Sequence, residues 1–135
     1  LNHTYNSPQQ FTVILNRTSD QGCSNSVSRN IKVHPTPVVG FVAANACDGE
    51  TINFYNTSVI QQDQIIAYEW DFADQQAQSQ QVSPQYQFSS YGLYSVSLTA
   101  ISDWSCQATA VQEVQVYRNP EFNLGAVAIS CEGEM

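Results

Sequence analysis

Between Gly92 and Ser102 apolar and polar side chains alternate: Tyr94, Val96, Leu98 and Ala100 against Ser95, Ser97 and Thr99. A period of two held over that length, rich in β-branched and aromatic residues, predicts a half-buried strand with the first set inward. The pattern recurs along the chain. "TINFYN" (51–56) sets Ile52 and Phe54 against Thr51, Asn53 and Tyr55. "IIAYEWDF" (65–72) places Ile66, Tyr68, Trp70 and Phe72 on one face, and "AVQEVQVY" (110–117) turns Val114 and Val116 inward. The apolar run "VVGFVAA" (38–44) adds a further strand. Between them lie "NTSVIQQDQ" and "ADQQAQSQQVSPQ", polar tracts that bury little and read as loops or edge strands. No segment carries a convincing helical period. Short strands separated by frequent turns predict an all-β antiparallel sandwich.

The chain also matches itself. Shifted by 83 positions, His3–Pro37 lies on Tyr86–Pro120 without a gap. Ser7/Ser90, Val13/Val96, Leu15/Leu98, Ser19/Ser102, Asp20/Asp103, Cys23/Cys106, Val33/Val116 and Pro37/Pro120 are identical. Beyond each closing proline a second likeness starts, in which Cys131 answers Cys47. A fixed period predicts tandem repeats of about 83 residues. On this reading residues 1–37 are the C-terminal part of one repeat, 38–120 a complete repeat, and 121–135 the N-terminal part of a third. Short proline linkers, "HPTP" (34–37) and "RNP" (118–120), separate them. The absence of an initiator Met and a signal peptide fits an internal piece of a longer protein.

Charge narrows the partners. Four basic residues against twelve acidic ones leave a net charge of −8 in 135 residues. Arg17, Arg29, Lys32 and Arg118 build no basic patch, which excludes nucleic acid and disfavours anionic membrane surfaces. No apolar stretch is long enough to span a bilayer, so membrane insertion is not expected. The four cysteines return with the period and lack CxxC or Cys/His spacing, which suggests a disulfide framework and an extracellular or cell-surface location. Within the complete repeat the expected pair is Cys47–Cys106, a bridge worth about 4 kcal/mol by loop-closure entropy. Cys23 and Cys131 then remain for pairing between chains.

"AYEWDFAD" followed by "SPQYQFSSYGLYSVSLTAIS" resembles the PKD domain, an immunoglobulin-like β-sandwich. The matching residues are Trp70, Asp71, Phe72 and Asp74, then Tyr86 and Phe88, then Gly92, Tyr94, Val96 and Leu98. His3, Thr4 and Tyr5 repeat the family's H-x-Y element in the preceding unit. Ala73 and Gln75 stand where the family has glycines, so the turn after Trp70 lacks its usual route to positive φ. The resemblance implies tandem modules of large bacterial secreted or surface proteins, gliding adhesins among them. It equally implies an accessory module of a secreted protease or polysaccharide-degrading hydrolase, because a fold does not choose its function.

Trp70, Phe72, Tyr94, Val96 and Leu98 are assigned to the core, with Trp70 packed on the Cys47–Cys106 bridge. Trp104 is replaced by Gln21 in the preceding repeat, so the fold does not require it. With Tyr55 or Tyr91 it is a candidate contact for a sugar ring or a protein partner; the competing reading is a lid over the disulfide or over the interface with the next unit. Asp71, Asp74 and Asp103 are a candidate oxygen set for Ca²⁺, but without the dense carboxylate spacing of a dedicated loop they read better as turn caps. His3 and His34, the two histidines, sit in no catalytic constellation, and no paired carboxylates or metal motif is present; an enzyme is not expected. The expected function is a non-catalytic extracellular spacer and interaction module contacting neighbouring repeats and an extracellular protein or polysaccharide, with no cofactor.

Overall fold

The computed structural model describes residues 2–125. All the regular structure in them is β. A hairpin comes first, β1 (Gln10–Thr18) with β2 (Ser24–Lys32). After the 33–37 linker follow β3 (Phe41–Val42), β4 (Ala46–Cys47), β5 (Thr51–Asn53), β6 (Tyr55–Asn56) and β7 (Ile65–Asp71). The remainder is β8 (Gln78–Ser79), β9 (Gln85–Gln87), β10 (Gly92–Ser102) and β11 (Gln107–Tyr117). One layer is the five-stranded sheet β4-β11-β10-β7-β8; the facing layer is made of the pairs β3-β6 and β5-β9.

Alternation accounts for what lies between the layers. Val96, Leu98 and Ala100 from β10 are fully buried beside Val114 and Val116 from β11 and Trp70 from β7. Phe41, Ile52 and Phe54 meet them from the opposite layer. Tyr94 is half-buried, stacked on Phe88 at 4.1 Å with its hydroxyl donating to the Ser90 carbonyl. The register shift between Ile101 and Ser102 opposite β7 skips Ile66, and that bulge breaks the alternation. Ile66, expected inward with Tyr68 and Trp70, is therefore 66% exposed.

The expected Cys47–Cys106 bridge is not formed. Cys47 pairs with Tyr117 at the C-terminal end of β11, whereas Cys106 immediately precedes its N-terminal end. Eleven residues of strand separate them, roughly 35 Å at about 3.3 Å per residue. A disulfide needs Cα atoms within about 7 Å, so strand geometry forbids this one. Cys23, Cys47 and Cys106 are free thiols. Cys131 lies outside the described residues.

Two hairpins share one register. Phe11↔Ile31 and Val13↔Arg29 in β1–β2 correspond, after the 83-residue shift, to Tyr94↔Val114 and Val96↔Gln112 in β10–β11. Their turns share the same closing bond: Ser19 N–H donates to the Cys23 carbonyl at 2.8 Å, and Ser102 N–H to the Cys106 carbonyl at 2.8 Å. Burial differs. Val96 and Leu98 are at 0% exposure, their counterparts Val13 and Leu15 at 40% and 66%. Tyr5 packs on Phe11 at 4.5 Å, as Phe88 does on Tyr94, but Val13 and Leu15 on the corresponding inward face stay exposed.

The turn after β7 is left-handed despite its missing glycines: Ala73 has φ 54°, Gln75 47° and Gln76 66°. An L side chain costs about 1–2 kcal/mol in that region. Ala73→Gly and Gln75→Gly are each expected to stabilise the domain by about 0.5–1 kcal/mol, the relief being partly offset by glycine's larger unfolded-state entropy. Urea unfolding midpoints measure this, and a lower midpoint in both variants contradicts a left-handed turn.

Candidate functional site

The linker 33–37 is fastened to the sandwich. Pro35 and Pro37 are buried. Between them and β2, His34 turns its Nδ1 to the Asp63 carboxylate at 2.9 Å, with side chains 11% and 5% exposed. The other contact of the imidazole is Trp104, stacked at a centroid distance of 4.0 Å and 21° between planes. Trp104 stands at the β10–β11 turn, positioned by its N–H on Ser102 Oγ. That turn is tied to the Asp63 loop in both directions: Asp103 N–H donates to the Gln64 carbonyl at 3.0 Å, and Gln64 N–H to Asp103 Oδ1 at 3.4 Å. Beside this junction a cleft of about 410 Å³ runs between hairpin and sandwich, lined by Tyr5, Pro8, His34, Pro35, Val38 and Val59.

One aromatic face of Trp104 is thus used, and the residue stays 58% exposed. Its expected companions are elsewhere. Tyr91 precedes β10 and Trp104 follows it, so the length of the strand separates them. Tyr91 lies instead under the Arg118 guanidinium, 5.5 Å from the ring centroid. Tyr55, 60% exposed, is on β6 in the facing layer. The three rings form no common platform. The lid reading of Trp104 also changes partner: it covers His34 of the 33–37 segment, not a disulfide or the interface with a following unit.

The carboxylates expected as a Ca²⁺ set are likewise dispersed. Asp71 is the last residue of β7 whereas Asp103 is bonded to Gln64 just before its first, and the described residues contain no cluster of three metal-binding side chains. Asp71 Oδ1 accepts the Ala73 N–H at 2.8 Å. Asp74 is buried and accepts three bonds: Ser89 Oγ at 2.7 Å, Ser89 N–H at 2.8 Å and Tyr86 Oη at 3.0 Å. The Ser89 hydroxyl bond holds its carboxyl below the usual carboxylate range against the opposing effect of burial, with help from the Ser89 N–H and Tyr86. Burial, reinforced by Asp74, pushes the Tyr86 phenol up to about 12. This network closes the left-handed turn onto the β9–β10 connection.

Trp70 packs edge-on against Phe41 and Phe54 at 5.0 and 5.6 Å, and its Nε1–H donates to the Gln81 carbonyl at 2.9 Å. Aromatic rings, not a disulfide, are its packing partners. His34 and Asp63 were not legible as a pair; the proline-flanked histidine marked a linker, but nothing local pointed to an acid 29 residues on.

The sequence profile of the PKD domain matches residues 32–116, well over half of the chain. The chain belongs to the PKD domain family. Its sandwich is similar to the PKD1 domain of Vibrio anguillarum Epp, at 27% identity and a TM-score of 0.57, covering 62% of this chain and 96% of that domain. A similar likeness holds to the PKD1 domain from Vibrio cholerae metalloprotease PrtV, at 29% identity and a TM-score of 0.55, covering 61% and 98%. A structure described for carbohydrate-binding modules of the β-sandwich superfamily shares the fold alone, at 19% identity, a TM-score of 0.56 and coverage of 63% of this chain and 35% of that one. No curated protein matches the chain. In both Vibrio domains the likeness spans nearly a whole domain, which fits one PKD sandwich plus flanking sequence.

Proposed function

We propose that this chain is a segment of a long extracellular or cell-surface repeat protein, whose PKD sandwiches act in series as non-catalytic spacer and interaction modules. The observation that carries it is the β1–β2 hairpin, a second copy of β10–β11 in register and turn chemistry, joined to the sandwich through a packed linker. Residues 1–37 then close a preceding repeat, 38–120 form a complete one, and 121–135 open the next. A stack, a histidine hydrogen-bonded to a carboxylate and two buried prolines make the joint stiff, and stiffness suits a rod that holds an adhesive tip away from its surface. The surface, rich in Gln, Ser and Asn and poor in lysine, favours solubility over capture of polyanions.

A second reading is an accessory module beside a secreted hydrolase. It is supported by the metalloprotease parent of one Vibrio domain and the carbohydrate-binding neighbour, with Trp104 and Tyr55 as the sugar contacts. The dispersal of the exposed aromatics favours the spacer. Backbone ¹⁵N relaxation separates the two. In the spacer reading, β1–β2 and β10–β11 share one rotational correlation time, and His34→Ala with Trp104→Ala frees the hairpin to move faster. Independent tumbling in the unaltered chain sinks the stiff spacer, and chitin or cellulose binding abolished by Trp104→Ala alone establishes the accessory module.

A further inference from the structure

The two outer faces of the sandwich differ in charge. Residues 38–42 run antiparallel to 55–59 in one register, with Val38 opposite Val59, Phe41 opposite Asn56 and Val42 opposite Tyr55. Phe41 and Phe54 point into the core, so by parity Val38, Val42, Tyr55 and Val59 point out, and all four are between 57% and 70% exposed. Between the two apolar pairs Gly40 faces Thr57: the Thr57 N–H donates to the Gly40 carbonyl, and a β-carbon on Gly40 would meet Thr57 Oγ1 at 2.9 Å. The ribbon is therefore low at its waist and raised at both ends. Along the neighbouring β5–β9 pair the same face carries exposed Thr51, Asn53, Gln85 and Gln87. None of these side chains is charged. The outer face of the five-stranded sheet, by contrast, carries exposed Glu69, Asp71 and Glu113, opposite Thr99, Ser97 and Ser95.

We propose that this uncharged face pairs with the same face of a second copy of the chain. The choice of occupant follows from charge. Each copy carries a net −8, so a like-charged partner approaches closely only where no carboxylate meets another. The five-stranded sheet fails that condition through Glu69, Asp71 and Glu113. The ends of the sandwich fail it too, through Asp63 and Asp103 at one and Asp48 and Glu50 at the other. A basic partner is drawn to those surfaces instead. On the neutral face the four apolar side chains supply area to remove from water, and the amides and hydroxyls beside them form a polar rim. A two-fold axis brings the same patch from both copies. Three strand lines about 4.8 Å apart, rising about 3.3 Å per residue, give a face of roughly 400 Å². That is about half of the ~800 Å² per partner in a standard interface, so one pair is weak and reversible. Repeats in series multiply it, which bundles rods side by side with their acidic faces outward. The bundling rests on the tandem reading above; the pairing of one sandwich does not.

The test is sedimentation equilibrium of the full chain with its thiols kept reduced. The expected result is a reversible dimer with a dissociation constant on the order of 10⁻⁴ M. Added salt tightens it, because screening weakens the repulsion between the two net charges. Val42→Asp and Tyr55→Asp each weaken it by at least about tenfold. Both positions are exposed, so far-UV circular dichroism and the urea midpoint stay near those of the unaltered chain. Leu15→Asp, on the exposed apolar side of the β1–β2 hairpin, leaves the dimer unchanged. Amide cross-peaks of Val38, Val42, Tyr55 and Val59 shift with concentration in the unaltered chain, which reads the face without any substitution. A chain still monomeric at about 1 mM overturns the pairing. So does a dimer that salt dissociates, one abolished by Leu15→Asp, or one that survives both aspartate substitutions on the face. The tandem reading, carried by the hairpin register, stands in each of these cases.

Discussion

Trp70→Ala is expected to destabilise the domain by about 3–5 kcal/mol, the range for truncating a buried aromatic to alanine. Against a typical total of about 5–15 kcal/mol, that leaves a domain near or past its unfolding threshold. Three effects combine. The ring is 1% exposed and fills the space between the layers, so alanine leaves a cavity lined by Phe41, Phe54 and Phe72. Edge-to-face contacts with Phe41 and Phe54 are lost. The Gln81 carbonyl loses the indole N–H that ties the polar β8–β9 segment to the sheet. Trp104→Ala is the matched control: it removes the same side chain from a site 58% exposed, and is expected to cost under about 1 kcal/mol. Urea unfolding followed by far-UV circular dichroism measures both without relying on tryptophan emission. Similar costs for the two variants contradict a core organised around Trp70.

Asp74→Ala is expected to cost about 2–4 kcal/mol, because three donors, Ser89 N–H, Ser89 Oγ–H and Tyr86 Oη–H, lose one buried charged acceptor together. The cost depends on pH in a defined direction. Asp74 binds its proton less readily folded than unfolded, so its contribution is fully present above about pH 4 and is lost as pH falls through the lowered folded value. The stability gap between wild type and Asp74→Asn should therefore narrow on acidification from pH 5 toward pH 2. Tyr86 acts at the other extreme. Its folded pKa, raised to about 12, gives a contribution complete below about pH 10 and lost as pH rises toward 12. Removing the Asp74 charge should shift that alkaline transition downward. Denaturant titrations of both proteins across the two windows decide it; a gap that widens in acid means that Asp74 is protonated in the folded domain.

Local pattern determined much of this protein. Alternation identified β10, β11 and β7 and chose their inward residues, because on a pleated strand facing depends only on parity. The 83-residue period implied that β1–β2 would share the register of β10–β11, since equal spacing of apolar residues and turn makes equal hairpins. The Trp70–Phe72 block was enough to point to the family. Other features depended on separations in space that sequence spacing does not encode. Cys47 and Cys106 read as a pair because they recur together, yet a straight strand of eleven residues stands between them. Ile66 follows the inward parity, but the bulge opposite Ile101 cancels it. Ala73 and Gln75 take the left-handed conformation that glycine usually supplies because Asp74, buried between them, is anchored by Ser89 and Tyr86. Sequence left Trp104 between a ligand contact and a lid over the disulfide or the interface with the next unit; only the packed linker placed it on His34, with Asp63 behind. Pairings along a strand follow from its own residues, whereas contacts between loops are decided by how the layers close on each other.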